Sequence, residues 1–315
     1  MRHLRLFPIV TAAVCLALAV PALQAGEQEK ISGIGPISKV VKVQGGFQFT
    51  EGPASDGHGN LYFTDIPGNR INKLGTDGKV SVFLEPSNHC NGLMFDAAGK
   101  LFAAEMDGRI VTIDVATRKV SPLVSEYEGK RLNAPNDVVV DRQGGVYFTD
   151  PRYRAPMPWP QVKEAVYYRA TDGKVTRLVD DLPAPNGVIL SPDEQTLYVI
   201  PSLQKEMMAY TVKGPGKIAD ARVFCSLKQR DDSKGAGSGG DGLTIDTKGN
   251  VYITSNLGVQ VFDPAGKLLG IIEFPEQPAN VTFGGKEGKT LYATARTSLY
   301  AVEMEAIGHQ FPGKK

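Results

Sequence analysis

Six oxygen-bearing side chains recur at one position of a repeated sequence pattern. The pattern is a short strand-like phrase, for example Gly-Asn-Leu-Tyr-Phe-Thr-Asp at 59–65, and an Asp, Glu or Asn precedes the aliphatic residue of each copy by ten or eleven positions. The six are Glu51, Asn91, Asn136, Asn186, Asp241 and Asn280. Two carboxylates and four amides, without His or Cys, are hard oxygen donors that suit Ca²⁺, and suit Mg²⁺ or Mn²⁺ less well.

A divalent ion bound by these six residues would have one of two roles. An ion with open coordination positions polarises a carbonyl or phosphoryl oxygen and acidifies bound water, which makes hydrolysis the natural reaction. Alternatively, the ion only holds the surrounding elements together. Each residue also has a simpler interpretation by itself, because Asn-Gly, Asn-Asp and Asp-Gly are common turn dipeptides. The recurrence of all six at one position favours a shared site.

The spacing of the phrases predicts the elements that position these side chains. The aliphatic residues stand 40, 45, 51, 54 and 40 positions apart and are Leu61, Leu101, Val146, Leu197, Val251 and Leu291. Repeats of this length, rich in β-branched and aromatic residues, predict an all-β, six-bladed propeller of four-stranded antiparallel blades. The inner strands enter the central channel from one face, so the six donors should converge at one mouth. Residues 37–43 are expected to complete the last blade and close the ring.

Two longer linkers are expected to lie above this mouth. The intervals after the third and fourth phrases are the longest, and they contain residues 151–162 and 229–240. The first carries Tyr153, Arg154 and the single tryptophan, Trp159, which favour stacking on a sugar or another ring. The alternative is a rigid, Pro-rich loop whose aromatic rings pack down.

Further polar residues are expected at the same face, one strand farther out. Asp65, Glu105 and Asp150 end their phrases and are expected mainly to bond the amides of nearby turns. Arg296 follows the sixth phrase, where it would meet either an anionic substrate group or a carboxylate in a surface ion pair. His89 precedes Asn91 by two residues, and a histidine side chain is suited to proton transfer near pH 7. The chain has only four histidines, however, which does not indicate a histidine-based site.

The first 25 residues have the pattern of a secretory signal. A positively charged start precedes an almost unbroken apolar run over 6–20, and small residues follow at Ala22 and Ala25. The run is short and wrongly flanked for a transmembrane helix, so we expect a periplasmic or secreted protein that leaves the membrane after cleavage. Its mature part, 26–315, is expected to be a single propeller domain. An uncleaved membrane anchor is the alternative.

Composition excludes several classes of function. The chain has 35 Lys and Arg against 34 Asp and Glu, so it lacks the basic surplus that binds nucleic acid or anionic lipid. Its 35 Gly and 21 Pro suit many short strands joined by tight turns. After the signal two cysteines remain, Cys90 and Cys225. They either pair in an oxidising compartment or are separately buried as small hydrophobic residues.

A series of short segments between about Phe47 and Tyr300 carries a family resemblance. They are Phe-Thr-Glu-Gly-Pro at 49–53, Leu-Asn-Ala-Pro-Asn-Asp-Val at 132–138, Pro-Asn-Gly at 185–187, Ser-Pro-Asp at 191–193, Asp-Gly at 241–242, Ile-Asp at 245–246 and Asn-Val-Thr-Phe-Gly-Gly at 280–285. Their order and spacing together are specific. With these segments the chain resembles the SMP-30/gluconolactonase/luciferin-regenerating family, and most closely its bacterial gluconolactonases.

The resemblance implies both a reaction and ligand positions. Members of the family hydrolyse sugar lactones, other lactones or organophosphate esters around a divalent ion. Glu51, Asn186 and Asp241 match the family's metal ligands, and Asn136 matches an asparagine that binds ion or substrate. Asp241 also matches the residue often proposed as base or as the group that assists the nucleophile. The chain departs from animal members at Ala134, where they carry Arg, so their manner of sugar-acid recognition is not implied.

We therefore expect a calcium-dependent lactonase with one divalent cation at the channel centre, Mg²⁺, Mn²⁺ or Zn²⁺ being the alternatives to Ca²⁺. Asp241 is the expected catalytic residue, and the expected ligands are Glu51, Asn136, Asn186 and Asp241. Substrate contacts are expected from Asn136, Asn91, Asn280, Tyr153, Arg154, Trp159 and Arg296. The rival hypotheses are hydrolysis of phosphotriesters or aryl esters at the same site, a ligand-binding propeller with a structural calcium, and a metal-free synthase, which the presence of both carboxylates disfavours.

Overall fold

Short antiparallel β-strands make up nearly all of the regular structure. The computed structural model describes residues 29–230 and 239–310, and within these two ranges it contains no helix. Accordingly, that part of the chain has no helical segment with the length and apolar character required to cross a membrane. The expected signal, 1–25, and most of the second long linker lie outside the described residues.

The first half of the described chain contains one strand that belongs to the last blade, then three blades and a small ribbon. β1 (Val41–Gly45) comes first. Blade 1 consists of β2 (Thr50–Ser55), β3 (Leu61–Asp65), β4 (Arg70–Leu74) and β5 (Val80–Leu84). Blade 2 consists of β6 (Cys90–Phe95), β7 (Leu101–Glu105), β8 (Arg109–Ile113) and β9 (Val120–Val124). A ribbon of β10 (Glu126–Tyr127) and β11 (Lys130–Arg131) leads to blade 3, which consists of β12 (Val138–Val140), β13 (Val146–Asp150), β14 (Ala165–Arg169) and β15 (Val175–Val179).

The second half forms three more blades. Blade 4 consists of β16 (Pro185–Leu190), β17 (Thr196–Pro201), β18 (Glu206–Gly214) and β19 (Lys217–Ser226). Blade 5 consists of β20 (Leu243–Ile245), β21 (Val251–Ser255), β22 (Gly258–Phe262) and β23 (Leu268–Ile272). Blade 6 consists of β24 (Pro278–Gly284), β25 (Thr290–Ala295), β26 (Ser298–Glu303) and, on its outer edge, β1. The structure thus confirms the predicted all-β, six-bladed propeller.

Burial explains why the repeated phrases carry the strongest sequence signal. Each phrase is the second strand of its blade, and all five residues of β3, β7, β13 and β21 are buried. A strand packed on both faces reads as a continuous apolar run instead of an alternating one. The outer strands, such as β5 and β9, are only partly buried.

A separate apolar cluster fills each of the six junctions between blades. Buried threonine hydroxyls add hydrogen bonds between the inner parts of neighbouring blades. Thr64 donates to the carbonyl of Asn91 at 3.2 Å, and Thr149 donates to the carbonyl of Asn186 at 2.6 Å. The inner strands are therefore held in a fixed arrangement around the channel.

The ring closes through β1, as predicted, with the pairing displaced a few residues toward the C-terminus. β1 pairs antiparallel with β26, Val41 opposite Ala301 and Gly45 opposite Ser298. Glu276 reinforces this closure, because its carboxylate accepts hydrogen bonds from Ser298 Oγ at 2.5 Å, Tyr300 Oη at 2.8 Å and Lys42 Nζ at 3.1 Å. Lys42 belongs to β1, so one carboxylate links the first strand of the ring to the last blade.

Both cysteines of the expected mature chain are buried and free. Cys90 lies in the cluster between blades 1 and 2, and Cys225 lies in the cluster between blades 4 and 5. Of the two possibilities left by the sequence, the structure supports separate burial as small hydrophobic residues.

Candidate functional site

The six expected donors, called ring positions below, lie where the inner strands are irregular or have not yet begun. The register between first and second strand shifts at or beside the ring position in blades 1, 2, 4 and 6. In blades 3 and 5 the ring position precedes the strand. A bulge re-aims a side chain away from the regular ladder. The ring positions are Glu51, Asn91, Asn136, Asn186, Asp241 and Asn280.

Glycine after a ring position allows neighbouring inner strands to approach closely. A Cβ atom on Gly52 would lie 1.9 Å from the carbonyl oxygen of Asn91, and one on Gly242 would lie 2.1 Å from the amide carbon of Asn280. No larger residue fits either place without moving the neighbouring blade. The Glu-Gly, Asp-Gly and Asn-Gly pairs at ring positions therefore do not form hairpin turns here; they close the ring around the channel.

Direct polar contacts join ring positions of blades 4 and 5 and of blades 6 and 1. The Asn186 side-chain amide donates to Asp241 Oδ1 at 2.6 Å and to Ser202 Oγ at 3.1 Å. Across the channel, Asn280 hydrogen-bonds to the Glu51 carboxylate. The two carboxylates are thus each oriented by an amide of a neighbouring blade.

Both carboxylates have raised pKa values. Burial raises the pKa of Glu51 well above its usual value, and the negative charge of Asp241 raises it further. Burial raises the pKa of Asp241 to about 6, although the Asn186 hydrogen bond and the positive charge of Arg296 act in the opposite direction. Two like charges that share a buried ring are unfavourable without a compensating cation.

The chemistry of this donor set fits a hard divalent cation. Among residues 29–230 and 239–310, no three His, Cys, Asp or Glu side chains cluster as a metal site. A cation at the ring would therefore take amide oxygens beside the two carboxylates, whose combined charge would balance it. Oxygen-only coordination of this kind suits Ca²⁺ better than the softer transition metals.

The ring positions of blades 2 and 3 are buried, each only 4% exposed. The amide nitrogen of Asn91 lies 4.0 Å from the sulfur of Met106. Asn136 accepts the amide proton of Gly92 on its backbone carbonyl at 2.7 Å. The structure places both at the channel, and their expected roles as ligand or substrate contact stay predictions.

The loop between β13 and β14 reaches the ring through Tyr153. The phenolic oxygen accepts a hydrogen bond from the Asn186 amide at 3.3 Å and also contacts Ser202. The side chain of Tyr153 is 48% exposed, but burial of its hydroxyl end raises the pKa to about 12, with a further contribution from the negative charge of Asp241, so the hydroxyl stays protonated at neutral pH. The sequence predicted Tyr153 as a stacking residue; the structure places its hydroxyl beside the expected ligands.

The other expected contacts in this loop lie farther from the ring. Trp159 is half exposed, and the Arg152 guanidinium lies over its ring at 3.9 Å. Its indole thus does not pack down onto a blade. Arg154 lies 3.9 Å from the carboxylate of Asp107 in an exposed ion pair. Among the described residues, nothing joins either side chain directly to a ring position.

Arg296 lies on the opposite side of the mouth, in blade 6. Its guanidinium donates to the Gln277 side chain at 2.6 Å and lies 5.6 Å from the ring centre of Phe49. Its positive charge lowers the pKa of Asp241. Arg296 thus contributes positive potential at the mouth, and its contact with substrate stays a prediction.

Two of the three acidic residues that end the phrases bond backbone amides, as expected. Asp65 accepts the amide protons of Gln48 and Phe49, both at 3.0 Å. Asp150 accepts those of Asn133 and Ala134, both at 2.8 Å. These carboxylates fix the segments that lead into the inner strands and so position the ring indirectly. Glu105 differs from this expectation, because its carboxylate accepts hydrogen bonds from the side chains of Asn88 and Arg109 at 3.1 and 2.6 Å.

Sequence reasoning missed two residues next to the ring. Asp137 is buried, accepts the amide protons of Val138 and Val188 at 2.9 and 3.1 Å, and has its pKa raised to about 7, chiefly by burial. Its position directly after Asn136 was a usable signal. Ser202 bonds Asn186 and also donates to the carbonyl of Gly240 at 2.7 Å. No signal marked it, because the fourth phrase ends in Ile-Pro where the first and third have Thr-Asp.

Below the ring, the channel continues as a cavity of about 260 Å³. Gly52, Asp137 and Asn280 line its upper end, and Asp56 and Asp96, from the hairpin turns of blades 1 and 2, line its lower end. The cavity therefore extends from beside the ring positions to the hairpin turns at the other end of the inner strands.

Comparisons with known proteins agree with this architecture. Residues 49–297 match the model of the SMP-30/Gluconolactonase/LRE-like region. A gluconolactonase of Zymomonas mobilis is 32% identical over 284 residues, which cover 83% of this chain and 80% of that protein. The diisopropyl-fluorophosphatase of Loligo vulgaris is 25% identical over 272 residues, which cover 78% and 84% of the two chains.

A solved structure shows the same likeness in three dimensions. The gluconolactonase of Xanthomonas campestris is 33% identical and superposes with a TM-score of 0.77, covering 84% of this chain and 89% of that one. The family match spans all six blades, from just before β2 to the turn after β25. The chain therefore belongs to the SMP-30/gluconolactonase/LRE-like family.

Proposed function

We propose that the protein hydrolyses a lactone at the ring with the help of a divalent cation. Ca²⁺ is the first candidate for this cation, and its ligands are Glu51, Asn136, Asn186 and Asp241. The observation that carries the proposal is the pair of buried carboxylates, Glu51 and Asp241, which interact electrostatically at the channel among amide side chains and form no salt bridge within residues 29–230 and 239–310. The gluconolactonase relatives support lactones as the substrate class.

The cation would supply a Lewis acid for the lactone carbonyl and would stabilise the oxyanion that forms on it. The chain's own groups have distinct tasks around that centre. The 2.6 Å hydrogen bond from Asn186 fixes the orientation of Asp241. In this proposal Asp241 assists the attack of water, either as the base or as a ligand of the ion that acidifies that water. Tyr153 keeps its proton and so remains a hydrogen-bond donor at the mouth.

The decisive test is hydrolysis of glucono-1,5-lactone by chelator-treated protein that is then given Ca²⁺, Mg²⁺, Mn²⁺ or Zn²⁺. We expect turnover to return with one of these ions and to be lost in Asp241→Asn with the fold intact. Turnover that persists in fully chelated protein would contradict the proposed metal dependence. Absence of turnover with every ion, together with a clear rise in melting temperature with Ca²⁺, would favour either another ester substrate or a binding propeller with a structural ion.

A second reaction at the same ring is hydrolysis of a phosphotriester or aryl ester. The observation that favours it is the relative from Loligo vulgaris, a diisopropyl-fluorophosphatase. A tetrahedral phosphoryl centre would use the same Lewis acid and the same carboxylate. Assay of diisopropyl fluorophosphate and phenyl acetate beside the lactone, with the same ions, ranks the reactions by kcat/KM.

A further inference from the structure

One loop beside the ring exposes an unusual amount of apolar surface. Ten large hydrophobic side chains are exposed in the described residues, and four of them lie between β13 and β14. They are Tyr153, Met157, Trp159 and Val162, exposed by 48%, 74%, 50% and 74%. Single exposed apolar residues are ordinary, but a cluster of this kind marks a binding surface.

This loop is held in place by buried polar residues at its base. The Gln161 amide donates to the carbonyls of Tyr127 and Lys130 at 3.1 and 3.0 Å, while its backbone N–H donates to Asn133 Oδ1 at 3.0 Å. Asn133 also donates to the carbonyl of Lys163 at 3.0 Å. The exposed apolar side chains are therefore presented by a fixed scaffold, which reduces the entropy lost when a ligand covers them.

The apolar surface continues from the loop into the wall of the mouth. Ala155 of the loop packs with Phe49 against a buried cluster of Ile66, Met106 and Ala134. These five residues come from the segments of blades 1, 2 and 3 that begin or end at the mouth. Phe49 and Ala155, which stay partly exposed, thus give the mouth an apolar side next to the loop.

The polar side of the mouth is formed by blades 4, 5 and 6 and meets the apolar side where the Arg296 guanidinium lies 5.6 Å from the ring centre of Phe49. It carries Asn186, Ser202, Asp241 and the Arg296 guanidinium. The Tyr153 hydroxyl contacts Asn186, so the apolar loop and the polar ring meet at this residue. A ligand whose carbonyl lies at the ring would extend its remaining atoms toward one side or the other.

We propose that the loop 151–164 and the adjoining wall bind a hydrocarbon substituent of the substrate, so that the preferred lactone carries an alkyl chain and not a ring of hydroxyl groups. This inference rests on the proposed lactonase function and names its substrate class. The physical reason is that apolar surface gains free energy when covered by methylene groups, whereas hydroxyl groups placed there lose their hydrogen bonds to water.

A homologous series of δ-lactones tests the proposal. The substituent on the carbon next to the ring oxygen is hydrogen, methyl, propyl or pentyl. Glucono-1,5-lactone serves as the polyhydroxylated comparison. We expect kcat/KM to rise about fourfold per methylene until the surface is covered, and the pentyl compound to exceed the gluconolactone. Trp159→Ala and Met157→Ser should flatten this dependence on chain length.

Val223→Ser is the matched control, because Val223 is 55% exposed on the outer strand of blade 4, away from the mouth. It should leave the dependence on chain length unchanged. A flat series in the wild-type protein, with lactones still hydrolysed, overturns this inference and leaves the lactonase proposal standing. Failure to hydrolyse any compound overturns both.

A second copy of the chain is the competing occupant of this surface. Sedimentation equilibrium distinguishes it, because a dimer that dissociates in Trp159→Ala would show that the exposed residues form a subunit interface. That result would overturn the substrate role. We expect the wild-type protein and Trp159→Ala to have the same mass in solution.

Discussion

Replacement of Asp241 by asparagine should stabilise the metal-free protein while abolishing its response to metal. Asparagine keeps the shape of the side chain and an oxygen that can accept the 2.6 Å hydrogen bond from Asn186. It removes the negative charge that raises the pKa of Glu51. The variant therefore changes charge at the ring with little change in packing.

The size of the effect follows from the raised pKa of Asp241. Burial raises this pKa from 3.8 to about 6, so the native state binds the proton more tightly than the unfolded chain does. Stability of the metal-free protein consequently falls as the pH rises from about 4 to about 6, by about 3 kcal/mol in total. Asparagine does not ionise, so the variant should regain most of this free energy at pH 7.5.

The assay is thermal unfolding of chelated protein at pH 7.5, followed by titration with Ca²⁺. A gain of about 3 kcal/mol corresponds to a melting temperature roughly 6 °C higher for a domain of this size. Wild-type protein should be strongly stabilised by Ca²⁺, and Asp241→Asn should not be. Asp220→Asn removes an exposed charge paired with Lys213 on blade 4 and serves as the control.

Two results would refute the reasoning. If chelated Asp241→Asn melts at or below the wild-type temperature while Asp220→Asn is normal, burial does not destabilise the Asp241 carboxylate as inferred. If Ca²⁺ stabilises Asp241→Asn as much as the wild type, the cation does not bind at Asp241.

Three further predictions concern other parts of the site and of the ring. The pKa of Glu276 is lowered to about 2, because hydrogen bonds from Ser298, Thr297, Tyr300 and Lys42 outweigh the effect of burial. About 3 kcal/mol of stability that is present above pH 4.5 is therefore lost as the pH falls toward 2. In Glu276→Gln, acid unfolding followed by circular dichroism should shift to higher pH. Tyr153→Phe should lower kcat/KM for the best lactone about tenfold without changing the melting temperature, since only a hydrogen bond at the mouth is lost; an equal kcat/KM would exclude the hydroxyl from the reaction. Thr149→Val should destabilise the protein by about 2 kcal/mol and weaken Ca²⁺ binding measured by calorimetry, because the carbonyl of Asn186 loses its donor. Thr64→Val breaks the equivalent bond to Asn91. It should destabilise the protein and leave Ca²⁺ binding unchanged if Asn91 is not a ligand.

The repeated phrases made the architecture predictable. A fully buried second strand leaves an uninterrupted apolar run, so six such runs could be counted and their spacing measured directly. The ring positions followed because each stands at a constant distance before its phrase. Closure by a strand near residue 40 followed from the shortage of strands at the end of blade 6. Only its register was displaced, since a short polar strand carries no pattern that fixes pairing.

Contacts between different blades could not be predicted in the same way. Ser202 reaches Asn186 from a phrase that departs from the pattern, and Glu276 lies in a linker without any motif. The apolar side of the mouth joins Phe49, Met106 and Ala155, which belong to three separate linkers. Each looks unremarkable in sequence, and only their meeting in space gives them a common property.

Closure of the ring through β1 has a consequence for how the chain folds. Val41 pairs with Ala301, roughly 260 residues farther along, so blade 6 keeps a bare edge until nearly the whole chain is available. Such a non-local final step is slow, and an open strand edge invites pairing with other molecules. Moving β1 behind β26 by circular permutation would make this pairing local. The permuted protein should have the same native structure but refold faster and aggregate less.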